Sequence, residues 1–267
     1  MLHTQRTFIS FTALILEAFL WAPYVSAHFV WLETPSALGP NQPAIVKAYF
    51  GEYHESLKET TGGRLDERAG LASWLVEPNG TRRSLDVIQK KNFFQIPVKP
   101  SSHGTYQLIA MDQDEPVRDG TPYPSIGMLY KPMFYARAQF SIFTTNPASE
   151  HENPITSMLP LDIIPTPSHH QPSKGPFAPM VNEEMRLQVF FKGRPLAKAK
   201  PTAYAPNGWS KELETNDSGV TQFTPLWPGL YVIDFVNLEK IPGEFQKQPY
   251  EAIRHRSTLS IHVPEVR

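Results

Sequence analysis

Apolar and polar residues alternate along this chain in runs of roughly four to eight, the period of a strand with one face buried, and the runs stop at proline, glycine or asparagine. The pattern predicts strands over 29–33, 45–50, 71–77, 81–87, 93–98, 105–111 and 131–143. A second series follows over 159–164, 185–191, 200–204, 211–215, 220–223, 230–237 and 257–263. Nowhere does a 3.6-residue period last long enough for an amphipathic helix to compete. The most explicit reversal is Pro78-Asn79-Gly80, because Asn-Gly supplies the positive φ angles of a tight hairpin. Pro206-Asn207-Gly208 and Asn216-Asp217-Ser218-Gly219 punctuate the second series in the same way. Residues 51–70 are polar and charged, with Gly62-Gly63 inside them, and read as a long excursion or as a short helix plus loop. Short strands at this spacing are the pattern of a β-sandwich. The expected fold is all-β, in two β-sandwich (immunoglobulin-like) domains over 28–145 and 183–267, joined by a Pro-rich linker over 146–182.

The leader changes the picture at the N-terminus. Residues 1–27 carry Arg6 in a polar head, a largely apolar run over 8–22, the helix-breaking Pro23 and a Val-Ser-Ala end. These are the three parts of a secretory signal. The run of about 15 apolar residues contains Glu17 and falls short of the roughly 20 that a spanning helix needs. Cleavage after Ala27 would leave 240 of the 267 residues, beginning at His28. The expected location is periplasmic or secreted, with no direct membrane insertion after cleavage.

Composition then limits the chemistry. There is no cysteine, so disulfides and thiolate metal sites are excluded, and any metal must be held by histidine, carboxylate, methionine or the terminal amine. The formal net charge of −1 argues against nucleic acid and anionic membrane surfaces as partners. No Gly-x-Ser-x-Gly elbow, phosphate loop, dinucleotide fingerprint or His-Glu-x-x-His site occurs. Asp112-x-Asp114-Glu115 lacks the later glycine and glutamate of a calcium loop.

Metal chemistry is the reading that the histidines suggest. A histidine at a free N-terminus is a chelator in itself, through its α-amine and its imidazole, and a further imidazole would give a nitrogen set suited to Cu(II) or Ni(II). The flanking Phe29-Val30-Trp31-Leu32 run would fix that terminus in a sheet. Eight histidines follow the leader, and three are candidates for the second ligand. His103 lies in a Ser-Ser-His-Gly turn. His54 follows Glu52 and could bring it as a carboxylate neighbour. His255 stands between Arg254 and Arg256, which disfavour a cation unless strand alternation sends them to the opposite face. His169-His170, with His151 upstream, reads as solvated linker.

Two stretches of the second half, LQVFFKGRPLAKAKPTAYAPNG (187–208) and TNDSGVTQFTPLWPGLYVI (215–233), resemble the turns of prealbumin-like and immunoglobulin-like carboxypeptidase-regulatory modules. The order of parts over the whole chain is similar to an exported family, domain of unknown function 4198, that accompanies bacterial nickel and cobalt uptake. Those parts are a leader ending in Ala27-His28, with Trp31-Leu32 behind it, two β units, and the closing Arg-His-Arg-Ser-Thr-Leu strand at 254–259. The resemblance implies a soluble accessory that binds Ni(II), Co(II) or Cu(II) and serves a metal-uptake transporter in the membrane. Two alternatives stand beside it: an envelope binding or adhesion module without metal, and a copper-dependent oxidative enzyme built on the same N-terminal chelate.

Overall fold

The computed structural model describes residues 28–35, 39–142, 156–166 and 179–265. The expected leader over 1–27 and the histidines at 151, 169 and 170 lie outside them. Among the described residues there is no α-helix, and no helix is long and apolar enough to cross a membrane. In chain order the first half carries β1 (Phe29–Glu33), β2 (Ala44–Glu52), β3 (Leu57–Lys58), β4 (Ala72–Val76), β5 (Arg82–Leu85), β6 (Ile88–Gln89), β7 (Phe94–Val98), β8 (Gly104–Asp112), β9 (Arg118–Asp119) and the long β10 (Leu129–Ile142). The second half carries β11 (Leu161–Thr166), β12 (Met185–Phe191), β13 (Arg194–Pro195), β14 (Thr202–Tyr204), β15 (Ser210–Glu212), β16 (Val220–Phe223) and β17 (Gly229–Glu239). The hairpin β18 (Gly243–Phe245) and β19 (Gln248–Tyr250) precedes the closing β20 (Ala252–Val263). The 51–70 excursion contains two 3-10 turns, Tyr53–Glu55 and Arg64–Arg68, around β3.

The turns follow one rule. In Pro78-Asn79-Gly80 only the glycine takes a positive φ, at 84°, because the proline fixes φ near −65° and opens a type I turn that Gly80 then closes. The expected two-residue Asn-Gly reversal is therefore a longer turn, closed by Glu77 N–H to the Thr81 carbonyl at 2.9 Å. Pro206-Asn207-Gly208 repeats it, with Gly208 at 85° and Trp209 N–H bonded to Asn207 Oδ1 at 3.1 Å.

A nine-stranded sheet runs β15-β14-β17-β20-β10-β8-β4-β5, with β9 on β10, and so draws strands from both halves of the sequence. The join is a parallel pair between β10 and β20, from Tyr130 opposite Ala252 to Ala138 opposite Ser260. A five-stranded sheet (β1-β2-β7-β6 with β3) and a four-stranded sheet (β11-β12-β13 with β16) cover this central sheet. The alternation of β10 shows that they lie on opposite faces. Phe134, Ala136, Ala138 and Phe140 enter a core with Val46, Phe50 and Ile96, whereas Tyr135 enters the core of Leu161, Leu187 and Ile233. Phe29 and Trp31 form a third, aromatic cluster with Tyr49 and Val232.

Candidate functional site

His28 immediately precedes β1 and is 9 % exposed. Its carbonyl accepts a hydrogen bond from Arg256 Nη1 at 3.2 Å, and Arg256 is itself gripped by both oxygens of Asp234 at 2.8 and 2.7 Å. Three residues further on, Trp31 stacks on Tyr49 with ring centroids 5.3 Å apart. The start of β1 is thus held at its backbone by a buried charge pair and at its side chains by aromatic packing.

The imidazole of His28 sits between two carboxylates. Nδ1 is 3.1 Å from Glu52 Oε1, and Nε2 is 2.5 Å from Glu59 Oε1. The Phe50 ring packs beside it at 5.4 Å. Pairing places these groups together: Phe29 lies opposite Gly51, so the end of β2 carries Glu52 to His28. The chain then turns through Tyr53–Glu55 and comes back along β3, where Glu59 N–H bonds to the Phe50 carbonyl at 2.8 Å. That return brings Glu59 to the other side of the ring.

His54 belongs to the same corner. Its ring stacks on Tyr204 at 5.0 Å, with 16° between the planes, and its Nε2 lies 3.7 Å from Glu55 Oε1. Ligand atoms of Glu52, His54 and Glu55 all lie within 4.8 Å of one another. Tyr53 anchors the turn by donating its hydroxyl hydrogen to the Leu230 carbonyl at 2.5 Å, and burial, aided by Glu33, pushes its phenol far above the ordinary range.

The other two candidates are not brought to this corner. His255 does face away from Arg256, as strand alternation allows, but into the second core. Its Nδ1 is 3.0 Å from the Tyr135 hydroxyl, its Nε2 is 3.2 Å from Glu239 Oε2, and Phe191 packs edge-on at 5.2 Å. Both ring nitrogens are engaged there. Burial lowers its pKa below 6.5 against the opposing pull of Glu239. His103 is exposed in the turn before β8. Phe134, which packs on Phe50, lies opposite Asp112 at the far end of β8, so His103 stands about 30 Å along the strand from that level at roughly 3.3 Å per residue.

The acidic Asp112-Glu115 stretch is neutralised by the protein itself. Arg68, buried between Phe50 and Phe134, pairs with Asp112 at 2.8 Å and with Glu115, and Arg118 also reaches Glu115. Glu55 and Glu59 are the site residues that the sequence reading missed. They sit in the polar excursion, and only Gly51 inside an otherwise strand-like run hints that the chain doubles back there.

Chemically, the corner offers imidazole nitrogen and carboxylate oxygen around a small volume, the donor set of divalent transition cations rather than of soft Cu(I). It contains no nucleophile paired with a general base.

Among solved structures, the chain is similar to a biofilm-associated protein BSP domain, at 12 % identity with a TM-score of 0.22. That match covers 88 % of this chain and 30 % of the other, so the chain spans less than a third of that relative's length. Fibronectin(III)-like modules of Clostridium thermocellum CbhA match at 8 % identity and a TM-score of 0.21, covering 87 % and 94 % of the two chains. Bacteroides ovatus SGBP-B, from a mixed-linkage glucan utilisation locus, matches at 11 % identity and a TM-score of 0.19, covering 86 % and 45 %. No curated protein matches the sequence. One family pattern does, over residues 25–239, and by that match the chain belongs to DUF4198, a domain of unknown function.

Proposed function

We propose that this protein is an exported metal-handling accessory. Once released after Ala27, it takes up Ni(II), Co(II) or Cu(II) at His28 and passes the ion to a metal-uptake transporter in the membrane. The observation that carries the reading is the buried imidazole of His28 with Glu52 at Nδ1 and Glu59 at Nε2. Nδ1 is the ring nitrogen that closes a chelate ring with the residue's own α-amine, so a metal there would have the amine, the imidazole and Glu52 as donors. Glu59 on the other nitrogen fixes the tautomer and orientation of the ring, the role that carboxylates play behind metal-bound histidines. The nickel and cobalt association suggested by the order of parts favours these ions.

A second reading draws on the same contacts. Two carboxylates hydrogen-bonded to one buried imidazole equally make His28 a structural peg and the protein an envelope binding or adhesion module without metal.

Calorimetric titration with Ni(II) separates the two. The chain beginning at His28, prepared without a histidine tag, is compared with the same chain bearing one extra alanine before His28. Under the metal reading, the extra residue and H28A each abolish the tight binding event, and E59Q weakens it by about 10- to 100-fold. Equal Ni(II) binding by the first two chains would eliminate the terminal chelate and leave the peg.

A further inference from the structure

We propose that Glu52, His54 and Glu55 form a second, outer site for a divalent transition cation, which shares Glu52 with the His28 corner and is the entry to it. The outer site stands without the terminal amine. Only its role as an entry rests on the proposed function.

Three features make this set a site rather than a surface accident. The first is spacing. Atoms bound about 2 Å from a common ion lie roughly 3 to 4 Å apart. His54 Nε2 and Glu55 Oε1 are separated by 3.7 Å, too far for a hydrogen bond but suited to an ion between them, and one ligand atom each of Glu52, His54 and Glu55 lie within 4.8 Å of one another. The second is preorganisation. The turn is pinned by the Tyr53 hydroxyl on the Leu230 carbonyl, closed by Ser56 N–H to the Tyr53 carbonyl at 3.0 Å with Ser56 at φ 57°, and the imidazole plane is set by Tyr204. The third is the direction of the ring. His54 Nδ1 is shut away from solvent and makes no hydrogen bond, so stacking on Tyr204 holds the ring with Nε2 as the nitrogen turned toward Glu55.

The direction of transfer follows from exposure. Glu55 is 57 % exposed, His54 29 %, Glu52 15 % and His28 9 %, and Glu52 Oε1 is already 3.1 Å from His28 Nδ1. An ion caught at Glu55 and His54 needs only a rotation of the Glu52 carboxylate to exchange these ligands for the deeper nitrogen. One imidazole and two carboxylates bind more weakly than a chelating amine and imidazole, which is the order an entry site requires.

The test uses Ni(II) as the probe, with the untagged chain beginning at His28 and the same chain carrying one extra alanine before it. The alanine-extended chain is expected to keep a single weak Ni(II) event. H54A and E55Q, each checked for an unchanged thermal transition, should weaken that event by about 10-fold or more. In the chain beginning at His28, the same E55Q change should slow Ni(II) uptake while leaving the final tight affinity within about twofold. An extended chain that binds no Ni(II), or whose binding ignores H54A and E55Q, overturns the outer site. If in that case the His28 chain still binds tightly and loses binding with H28A, the proposed function survives alone. Conversely, an extended chain that binds like the His28 chain, with both dependent on His54, keeps the outer site and removes the terminal chelate.

Discussion

Between Phe50 and Glu52 the backbone leaves no room for a side chain. A Cβ on Gly51 would lie 2.1 Å from the Leu57 carbonyl oxygen, and the residue's φ of 151° is one that side-chain-bearing residues rarely adopt. Gly51 therefore lets β3 close on β2 and carry Glu59 to His28. G51A should force that return apart, with a stability loss of about 1–3 kcal/mol, faster amide exchange over 52–59 and loss of tight Ni(II) binding. Unchanged exchange in that segment would show that the chain accommodates a methyl group there. His255 makes a separate prediction. Its folded pKa is depressed by burial, so beneath the unfolded value near 6.5 the unfolded chain takes up a proton that the folded chain refuses. Stability is then complete above about pH 6.5 and falls as the pH drops toward the folded pKa. His262, whose pKa burial also lowers against Glu33, acts in the same direction. Urea midpoints measured from about pH 7.5 to 5 should fall, and H255Q should flatten that slope without abolishing it. At this scale His28 was legible because the leader points to it, and Glu52 because it neighbours His54. His103 and His255 were nominated only as imidazoles, since a sequence pattern does not carry the depth of a side chain or its distance along a strand.

Strands were legible where one face is apolar, and illegible where polar side chains are consumed inside the fold. Alternation alone marks the last strand over 257–263, the family resemblance extends it back to Arg254, and in the structure it begins at Ala252 with Ala-Ile-Arg-His-Arg. That stretch looks like surface in sequence, yet Arg256 is bound by Asp234, and His255 by Tyr135 and Glu239. Further along, the hydroxyls of β20 close the open edge of β1. Thr258 Oγ1 donates to the Val30 carbonyl at 2.7 Å, and Leu32 N–H donates to Ser260 Oγ at 3.1 Å. β1 pairs only with β2 in its sheet, so these bonds satisfy backbone groups that would otherwise be buried without partners. S260A should lower stability by about 1–3 kcal/mol, the usual penalty for a buried donor left unpaired. Denaturant titration with an unchanged midpoint would mean that water reaches Leu32 N–H.

At the scale of the whole molecule, the two hydrophobic cores are not divided along the sequence: the second takes Val76, Ile109 and Tyr135 from the first half and Leu161 and Ile163 from β11. β10 gives alternate side chains to each core and pairs along its length with β20 from the far end of the chain. A buried charge pair links β10 to β11. Arg137 on β10 donates through Nε to Asp162 Oδ1 at 2.9 Å and through Nη2 to Oδ2 at 2.6 Å, with Gln107 on its remaining nitrogen. Asp162 on β11 also accepts from the backbone N–H groups of Met158 and Leu159, at 2.8 and 3.2 Å. Neither half can unfold while the other keeps these contacts, because each would expose one face of a shared strand. Scanning calorimetry of the chain from His28 to Arg267 should therefore give a single transition. D162N leaves the Arg137 guanidinium in the core without its counter-charge, and should cost about 3–5 kcal/mol. The lowered transition should remain single, because the loss is felt in both cores at once. Two resolved transitions in the parent chain, or a D162N variant in which only one of two peaks moves, would show that the β10–β20 seam holds more loosely than its pairing implies, and that the halves are energetically independent.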